Sequence, residues 1–501
     1  MPGYKAFKKY HKWPSLIFSL FFLFFAVTGI LMNHRKFIAS VDINRDYLPG
    51  AYKLSNWNLA SVKGVAACGT DSIIFYGGAG IWLTNSSFEF WQPLMEGIPS
   101  GSDYRKIFDF QVTPWGWYAA TRFGLYYLPI HATSWVKLAL PDNDEFATSI
   151  ELVDSSLYIT TRNSLYALNH SYQSLTRVDL IPPLGAKNSI GFFRVFWITH
   201  SGEVLGDFGR ILADIVGLIM IFLSITGFIY FLAPKIIKRL YKKVKFQLLK
   251  STTRFSFKWH LKVGAISALF LVISGITGIF LRPPFLIAIA NSNIDLGDDY
   301  EYSDFWHDKI RDLRFDPNQN IFILATSDGL YYCKNLDEPL VKFSHQPPVS
   351  VMGINVLEPV SSGEILIGSF TGLFIWNPDS GDVINYMDGS PYKPVSGLSR
   401  PVGDILVSGY AKLSSGEYVF DYNSGIIGIN NSTELIKMPT IIEKTYRFPL
   451  WNLAQEFHTG RYFSAILGDF YILIVPFTGL ALALVSITGF VMWFIRRSFK
   501  A

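Results

Sequence analysis

Four long apolar runs interrupt this sequence: Pro14–Asn33, Ile211–Leu232, Val263–Leu281 and Phe470–Ile495. About 20 such residues make a helix long enough to cross a hydrocarbon core of roughly 30 Å, so each run predicts a membrane span. Composition agrees, with 50% hydrophobic residues and only 17% charged, where soluble domains carry about a quarter charged. The stretches between spans are long and polar enough to add a soluble part.

No small-residue cleavage site follows the first run; Asn33, His34 and Arg35 come next. We read it as an uncleaved anchor. Lys5, Lys8, Lys9 and Lys12 precede the first run, a basic link from Lys235 to Lys258 joins the second to the third, and Arg496, Arg497 and Lys500 follow the fourth. Basic flanks mark the cytoplasmic side. The net charge of +5 resides in these flanks, so it speaks for membrane topology and not for nucleic acid. The expected layout is span one at 1–34, an outer segment at 35–199, span two at 200–233 and a cytoplasmic basic loop at 234–256. Span three at 257–282, a second outer segment at 283–457 and span four with a cytoplasmic tail at 458–501 complete it. Cys68 and Cys333 fall one in each outer segment, leaving open a disulfide or two buried thiols. The absence of CxxC and CxxCH from the sequence excludes covalent c-type haem and a thioredoxin-like pair.

The second half of the chain restates the first. KYHKW recurs as KWHLK and AVTGI as GITGI, so that His11 and His260, and Thr28 and Thr277, are both 249 residues apart. LGDF and SITGF, at Leu205–Phe208 and Ser224–Phe228, recur at Leu467–Phe470 and Ser486–Phe490, offset by 262. Such duplication implies a pseudo-two-fold axis along the membrane normal, with binding sites around it. The outer segments hold a shorter repeat of aromatic hairpins, with turns at Gly80, Gly124, Ser164, Gly329, Gly372 and Gly425. Spacings of about 40–50 residues suit propeller blades. The expected fold is therefore a membrane α-helical bundle of four spans in two pseudo-symmetric halves, plus an all-β extracytoplasmic propeller-like domain of six blades, with seven as the alternative count.

Five of the nine histidines stand at span rims: His11 and His260 on the cytoplasmic side, His34, His200 and His458 on the outer side. His11 and His260 hold equivalent repeat positions, so the axis brings them to one depth, as bis-histidine haem ligation requires. HSG at His200 and HTG at His458 match, but His200 lies 26 residues and His458 30 residues before the Thr-Gly pair that follows. If helical, that difference of four is one turn and shifts the height. Pro283 stands where the first repeat has His34, so the outer site is not expected to be strictly symmetric. A single rim histidine serves equally well as a helix anchor; an anchor needs no conserved register between halves. Bare zinc or copper is the weaker rival, since no carboxylate or thiol adjoins these residues. His131, His170, His307 and His345 read as ordinary histidines of the outer segments. Gly29, Gly227, Gly275, Gly278 and Gly489 admit close helix approach or a flat macrocycle, and Arg35, Arg282 and Arg461 suit haem propionates, lipid phosphates or helix ends.

KYHKWPSL…TGILMNHR, the HSG and HTG triplets and the LGDF…SITGF spans resemble the PepSY-associated transmembrane family of bacterial inner-membrane proteins. Its members include di-haem ferric-siderophore reductases. The resemblance covers the four spans and their rims. It implies two b-type haems ligated by His11, His34, His200, His260 and His458, an inner-membrane location, and periplasmic outer segments. The propeller-like repeats depart from the compact outer domains of typical members, which places the substrate in question.

The expected function is electron transfer across the inner membrane to an extracytoplasmic acceptor, first of all a ferric siderophore or other chelated Fe(III). No GxGxxG follows a strand and opens a helix, so electrons are expected from a quinol or a separate reductase. A periplasmic or outer-membrane uptake partner is compatible with that role. The alternative is a non-redox, membrane-anchored propeller that binds a ligand or partner. A transporter is disfavoured because the apolar runs lack acidic or basic residues apart from Asp214, which lies near the outer rim of the second.

Overall fold

The computed structural model describes residues 2–169, 174–187, 189–240, 247–290, 292–295, 305–350, 352–360, 363–393, 402–429 and 435–498. The chain divides into two compact units, one of residues 1–38, 189–297 and 450–501, the other of 39–188 and 298–449.

The first unit is helical. Its long helices are α1 (Pro2–Asn33), α3 (Gly206–Leu240), α4 (Gln247–Phe280) and α6 (Ile474–Ser498), and two short ones, α2 (Phe192–Ser201) and α5 (Leu450–His458), precede α3 and α6. All four long helices belong to segments apolar and long enough to span a bilayer, and the protein is an integral membrane protein with four candidate spans. Large apolar side chains such as Ile211, Leu218, Ile266, Leu269 and Phe477 face outward, as expected where lipid is the solvent. The helices contact in the cycle α1–α3–α4–α6–α1 around Phe22, Leu271, Ala481 and Leu482.

Small residues let the helices cross closely, and they do so equivalently in both halves. A Cβ on Gly479 of α6 would lie 2.6 Å from the Gly275 carbonyl oxygen and from Ile279 Cγ1 of α4. The counterpart Gly217 of α3 faces Ile30 of α1 at 3.0 Å. Each short helix ends at a left-handed glycine, Gly202 (φ 83°) and Gly460 (φ 76°), and a second positive-φ glycine, Gly206 or Gly468, lies at the end of the link. At Gly202 no side chain fits, because a Cβ would fall 2.0 Å from the Gly209 carbonyl oxygen.

The second unit is mainly β. Among the described residues it holds six antiparallel sheets of three or four strands, five of four and one of three, beside a two-stranded pairing of Asp42–Ile43 with Phe448–Pro449 and the short helix Thr440–Thr445. Their first strands are β1 (Gly64–Ala67), β2 (Ile107–Thr113), β3 (Ala147–Val153), β4 (Ile310–Asp316), β5 (Ile354–Pro359) and β6 (Val407–Leu413). Each packs on the next, and β6 returns to β1. Ile, Leu, Phe, Tyr and Trp from successive sheets fill the intervening layers, as where Trp57, Phe75 and Trp82 meet Tyr418 and Phe420. The second and third strands of every sheet meet at the turn positions read from the sequence. Five of these turns are latched by the last polar residue of the second strand: Thr121, Thr161, Thr326 and Ser369 accept amides through their hydroxyls and Asp421 through its carboxylate. Arg314 on β4 bridges Asp109 of β2 at 2.9 Å, Glu151 of β3 at 3.2 Å and Asp312 at 3.3 Å.

Cys68 and Cys333 are both free thiols.

Candidate functional site

The bundle brings four of the five rim histidines into two pairs. The rings of His11 (α1) and His260 (α4) lie 6.2 Å apart, centre to centre, and are nearly perpendicular at 87°. Those of His200 (α2) and His458 (α5) are 6.0 Å apart at 63°. The fifth, His34, stands apart: its Nε2 is 2.8 Å from Asp214 Oδ2, the side chain is 54% exposed, and Asn33 donates to the other Asp214 oxygen at 3.0 Å.

One arrangement holds all four paired rings. His458 Nδ1 lies 3.0 Å from Thr28 Oγ1, His260 Nδ1 3.0 Å from Thr226 Oγ1, His200 Nδ1 3.0 Å from Thr277 Oγ1, and His11 Nδ1 3.4 Å from Thr488 Oγ1. Every one of these threonines donates its hydroxyl to the carbonyl four residues earlier at 2.7 Å. The threonine oxygen therefore accepts from the imidazole. A backbone carbonyl three residues before the threonine is also near: Val485 O at 2.9 Å from His11 Nδ1 and Ser274 O at 3.1 Å from His200 Nδ1, with Leu223 and Phe25 in the same role for His260 and His458. Only acceptors face Nδ1, so Nδ1 carries the proton and Nε2 keeps a free lone pair. Fixing the tautomer through the distal nitrogen is how proteins orient ligating imidazoles.

The residue after each threonine is glycine, and it makes room for the ring. A Cβ on Gly489, Gly278, Gly29 or Gly227 would come 3.0, 3.1, 3.3 or 3.4 Å from Cε1 of the histidine held there. The four Thr-Gly pairs are thus the seats of the histidines. Sequence reading singled out the glycines and used Thr-Gly for alignment, but did not assign the threonines a role; their fourfold recurrence was the available signal.

The outer pair is also more symmetric than the sequence suggests. The four extra residues in the second half lie between the two positive-φ glycines, Gly460 and Gly468 against Gly202 and Gly206, in a link of short helical turns that follows the histidine's own helix. They shift neither histidine along a helix, which corrects the expected one-turn difference in height. With His34 outside the pair, the substitution of Pro283 in the second half has no bearing on its symmetry. Seventeen residues separate His11 from Thr28, and His260 from Thr277. At about 1.5 Å per residue the pairs are roughly 25 Å apart along the helices, most of a bilayer core.

Two imidazoles per site are few for a bare ion, and among the described residues no cluster of three or more His, Cys, Asp or Glu is placed to hold one. They suit a metal whose remaining ligands come from a macrocycle. A metal–nitrogen bond of about 2.0 Å plus about 1.1 Å from nitrogen to ring centre, taken on both sides, gives about 6.2 Å between centres. The observed 6.2 and 6.0 Å fit that dimension. Of the other histidines, His131, His307 and His345 belong to the β unit, and His170 lies outside the described residues.

The chain is similar to the extracellular domain of BT4673 from B. thetaiotaomicron (10% identity, 73% of this chain and 32% of that chain, TM-score 0.36). It is also similar to the GH74 xyloglucanase from Xanthomonas campestris (9% identity, 75% and 46%, TM-score 0.37). It thus spans about a third of that extracellular domain and under half of the xyloglucanase. No curated protein sequence matches it. The family model described as the PepSY-associated TM region matches residues 160–496, a stretch that includes His200, His260 and His458 and three of the four long helices. The chain belongs to the PepSY-associated TM region family.

Proposed function

We propose that this protein is a di-haem b electron conduit of the bacterial inner membrane, with both termini cytoplasmic and a six-bladed propeller in the periplasm. His11 with His260 would hold the inner haem and His200 with His458 the outer one. The observation that carries the reading is the fourfold seat: four imidazoles, each fixed through Nδ1 by a threonine and backed by a glycine, arranged in two pairs at ligating separation. A bis-imidazole iron porphyrin, when bound, supplies reversible one-electron chemistry without ligand exchange. The threonines would keep the imidazoles oriented and raise their basicity. With a histidine on either side, neither pair leaves a position open for substrate, so an acceptor would be reduced from outside the bundle.

The acceptor that suits this arrangement is a ferric siderophore or other chelated Fe(III), since one electron loosens a hard-oxygen chelate. Its selection would fall to the periplasmic ring of six sheets. Electrons would come from a quinol or a separate reductase, and released iron would pass to a periplasmic or membrane uptake partner. The test is an optical spectrum of protein expressed with ample haem: a Soret band and split dithionite-reduced α-bands support the conduit. A colourless, folded protein would refute it and leave a membrane-anchored propeller that binds a ligand or partner.

A further inference from the structure

The bundle contains a second feature that its histidines do not use. Arg282 lies just past the end of α4, four residues after Gly278, the seat of His200. Arg461 follows the HTG triplet, three residues after His458. The two guanidiniums lie within electrostatic reach of each other, and the Arg282 side chain hydrogen-bonds that of Tyr471. Glu456 faces Arg461 at 2.5 Å and offsets one of the two charges. Nε of each arginine is nevertheless buried with no hydrogen-bond partner. Two cations held together, with buried donors unsatisfied, form a site that lacks an anion. Arg35 is not part of it, since its guanidinium lies 3.6 Å from the centre of the Trp451 ring.

We propose that Arg282 and Arg461, with the Tyr471 hydroxyl, receive the propionate carboxylates of the haem held by His200 and His458. The proposal rests on the haem reading above and adds an orientation to it. Guanidinium pairs bind carboxylates through charge-assisted, directional hydrogen bonds, and the two propionates leave one edge of the porphyrin together. The duplication supplies an internal comparison. At the positions equivalent to Arg282 and Arg461 the first half has Asn33, bonded to Asp214, and Glu203, paired with Arg194. One side of the outer pair is cationic and the other is not, so the outer porphyrin has one orientation despite the symmetric histidines.

The test uses the full-length protein in detergent or nanodiscs and measures haem per chain, the rate of haem loss to an apoprotein scavenger, and binding of iron protoporphyrin IX against its dimethyl ester. Wild type is expected to retain two haems and to bind the ester at the outer site about tenfold or more weakly than the free acid. R282Q with R461Q is expected to lose outer haem at least about tenfold faster and to bind acid and ester alike. The inner haem should remain in the variant and reports that the bundle has folded, while N33A with E203Q should behave as wild type. Two haems retained at wild-type rates by R282Q with R461Q, with an unchanged preference for the free acid, would overturn the proposal and leave the haem reading standing. A wild type that binds no haem would overturn both.

Discussion

Thr28 Oγ1 lies 3.0 Å from Nδ1 of His458, with 430 residues of chain between them. The hydroxyl that accepts there donates in turn to the Phe24 carbonyl at 2.7 Å. Removing it leaves the ring held by packing and the Phe25 carbonyl and deprives Nδ1–H of one of its two acceptors. We expect Thr28→Val or Thr277→Val to weaken haem binding at the outer pair by about 10–100-fold, and Thr226→Val or Thr488→Val to do the same at the inner pair. Titration of the apoprotein with hemin, followed at the Soret band, checks this. Equal affinities in all four variants would show that the threonines do not orient ligands.

His34 separates position from role. It stands at the rim of α1 but bonds Asp214 at 2.8 Å and is more than half exposed. His34→Ala should therefore retain two haems per chain, while His200→Ala and His458→Ala should each lose the outer one. A pyridine haemochromogen assay on the three purified variants distinguishes these results, and loss of a haem in His34→Ala would contradict the pairing.

The hub at Arg314 bears on the β unit's stability. Its side chain is 20% exposed and its guanidinium serves Asp109, Glu151 and Asp312 on three neighbouring sheets. Arg314→Met leaves those carboxylates crowded and unpaired, at a cost of about 3–5 kcal/mol. Adding Asp109→Asn should recover part of the loss, because the two residues are directly coupled. Denaturant unfolding followed by tryptophan fluorescence measures both; a loss under about 1 kcal/mol, the scale of a surface pair, would contradict the role.

Burial pushes the Cys333 thiol up to about 11 from an ordinary value of 9.0, with smaller contributions from Glu338 and Asp337. A raised thiol pKa means that between 9 and about 11 the folded chain holds the proton that the unfolded chain releases. Its contribution to stability is therefore complete below pH 9 and is lost as pH rises through that window. Cys333→Ala should flatten the decline in melting temperature between pH 9 and about 11, the interval set by those two values. At about pH 8 thiol reagents should label Cys333 in the native protein far more slowly than in the unfolded chain.

Much of this was legible in the sequence because duplication writes spatial equivalence into spacing. The 249-residue offset put His11 and His260 at one depth, and the ring separation of 6.2 Å is the spatial counterpart of that register. The turns at Gly80, Gly124, Ser164, Gly329, Gly372 and Gly425 mark the six hairpins of the sheets, because a tight turn needs particular residues at fixed positions. What spacing does not encode is contact between elements far apart in the chain. His34 and His200 both lie at the rim opposite His11 and His260; only packing on α4 gives His200 to His458 and leaves His34 to Asp214. The same holds for Arg314, whose three carboxylates come from strands up to 205 residues away. A four-residue insertion likewise reads as an extra turn between each histidine and its span until Gly460 and Gly468 set it in the link that follows the histidine's helix.

The central claim is that each histidine pair ligates one haem, and haem stoichiometry tests it most directly. Haem-replete wild-type protein should contain two haems per chain, and His11→Ala and His260→Ala should each contain one, with the retained spectrum the same in both. Wild type without haem, or both variants keeping two, would contradict the account.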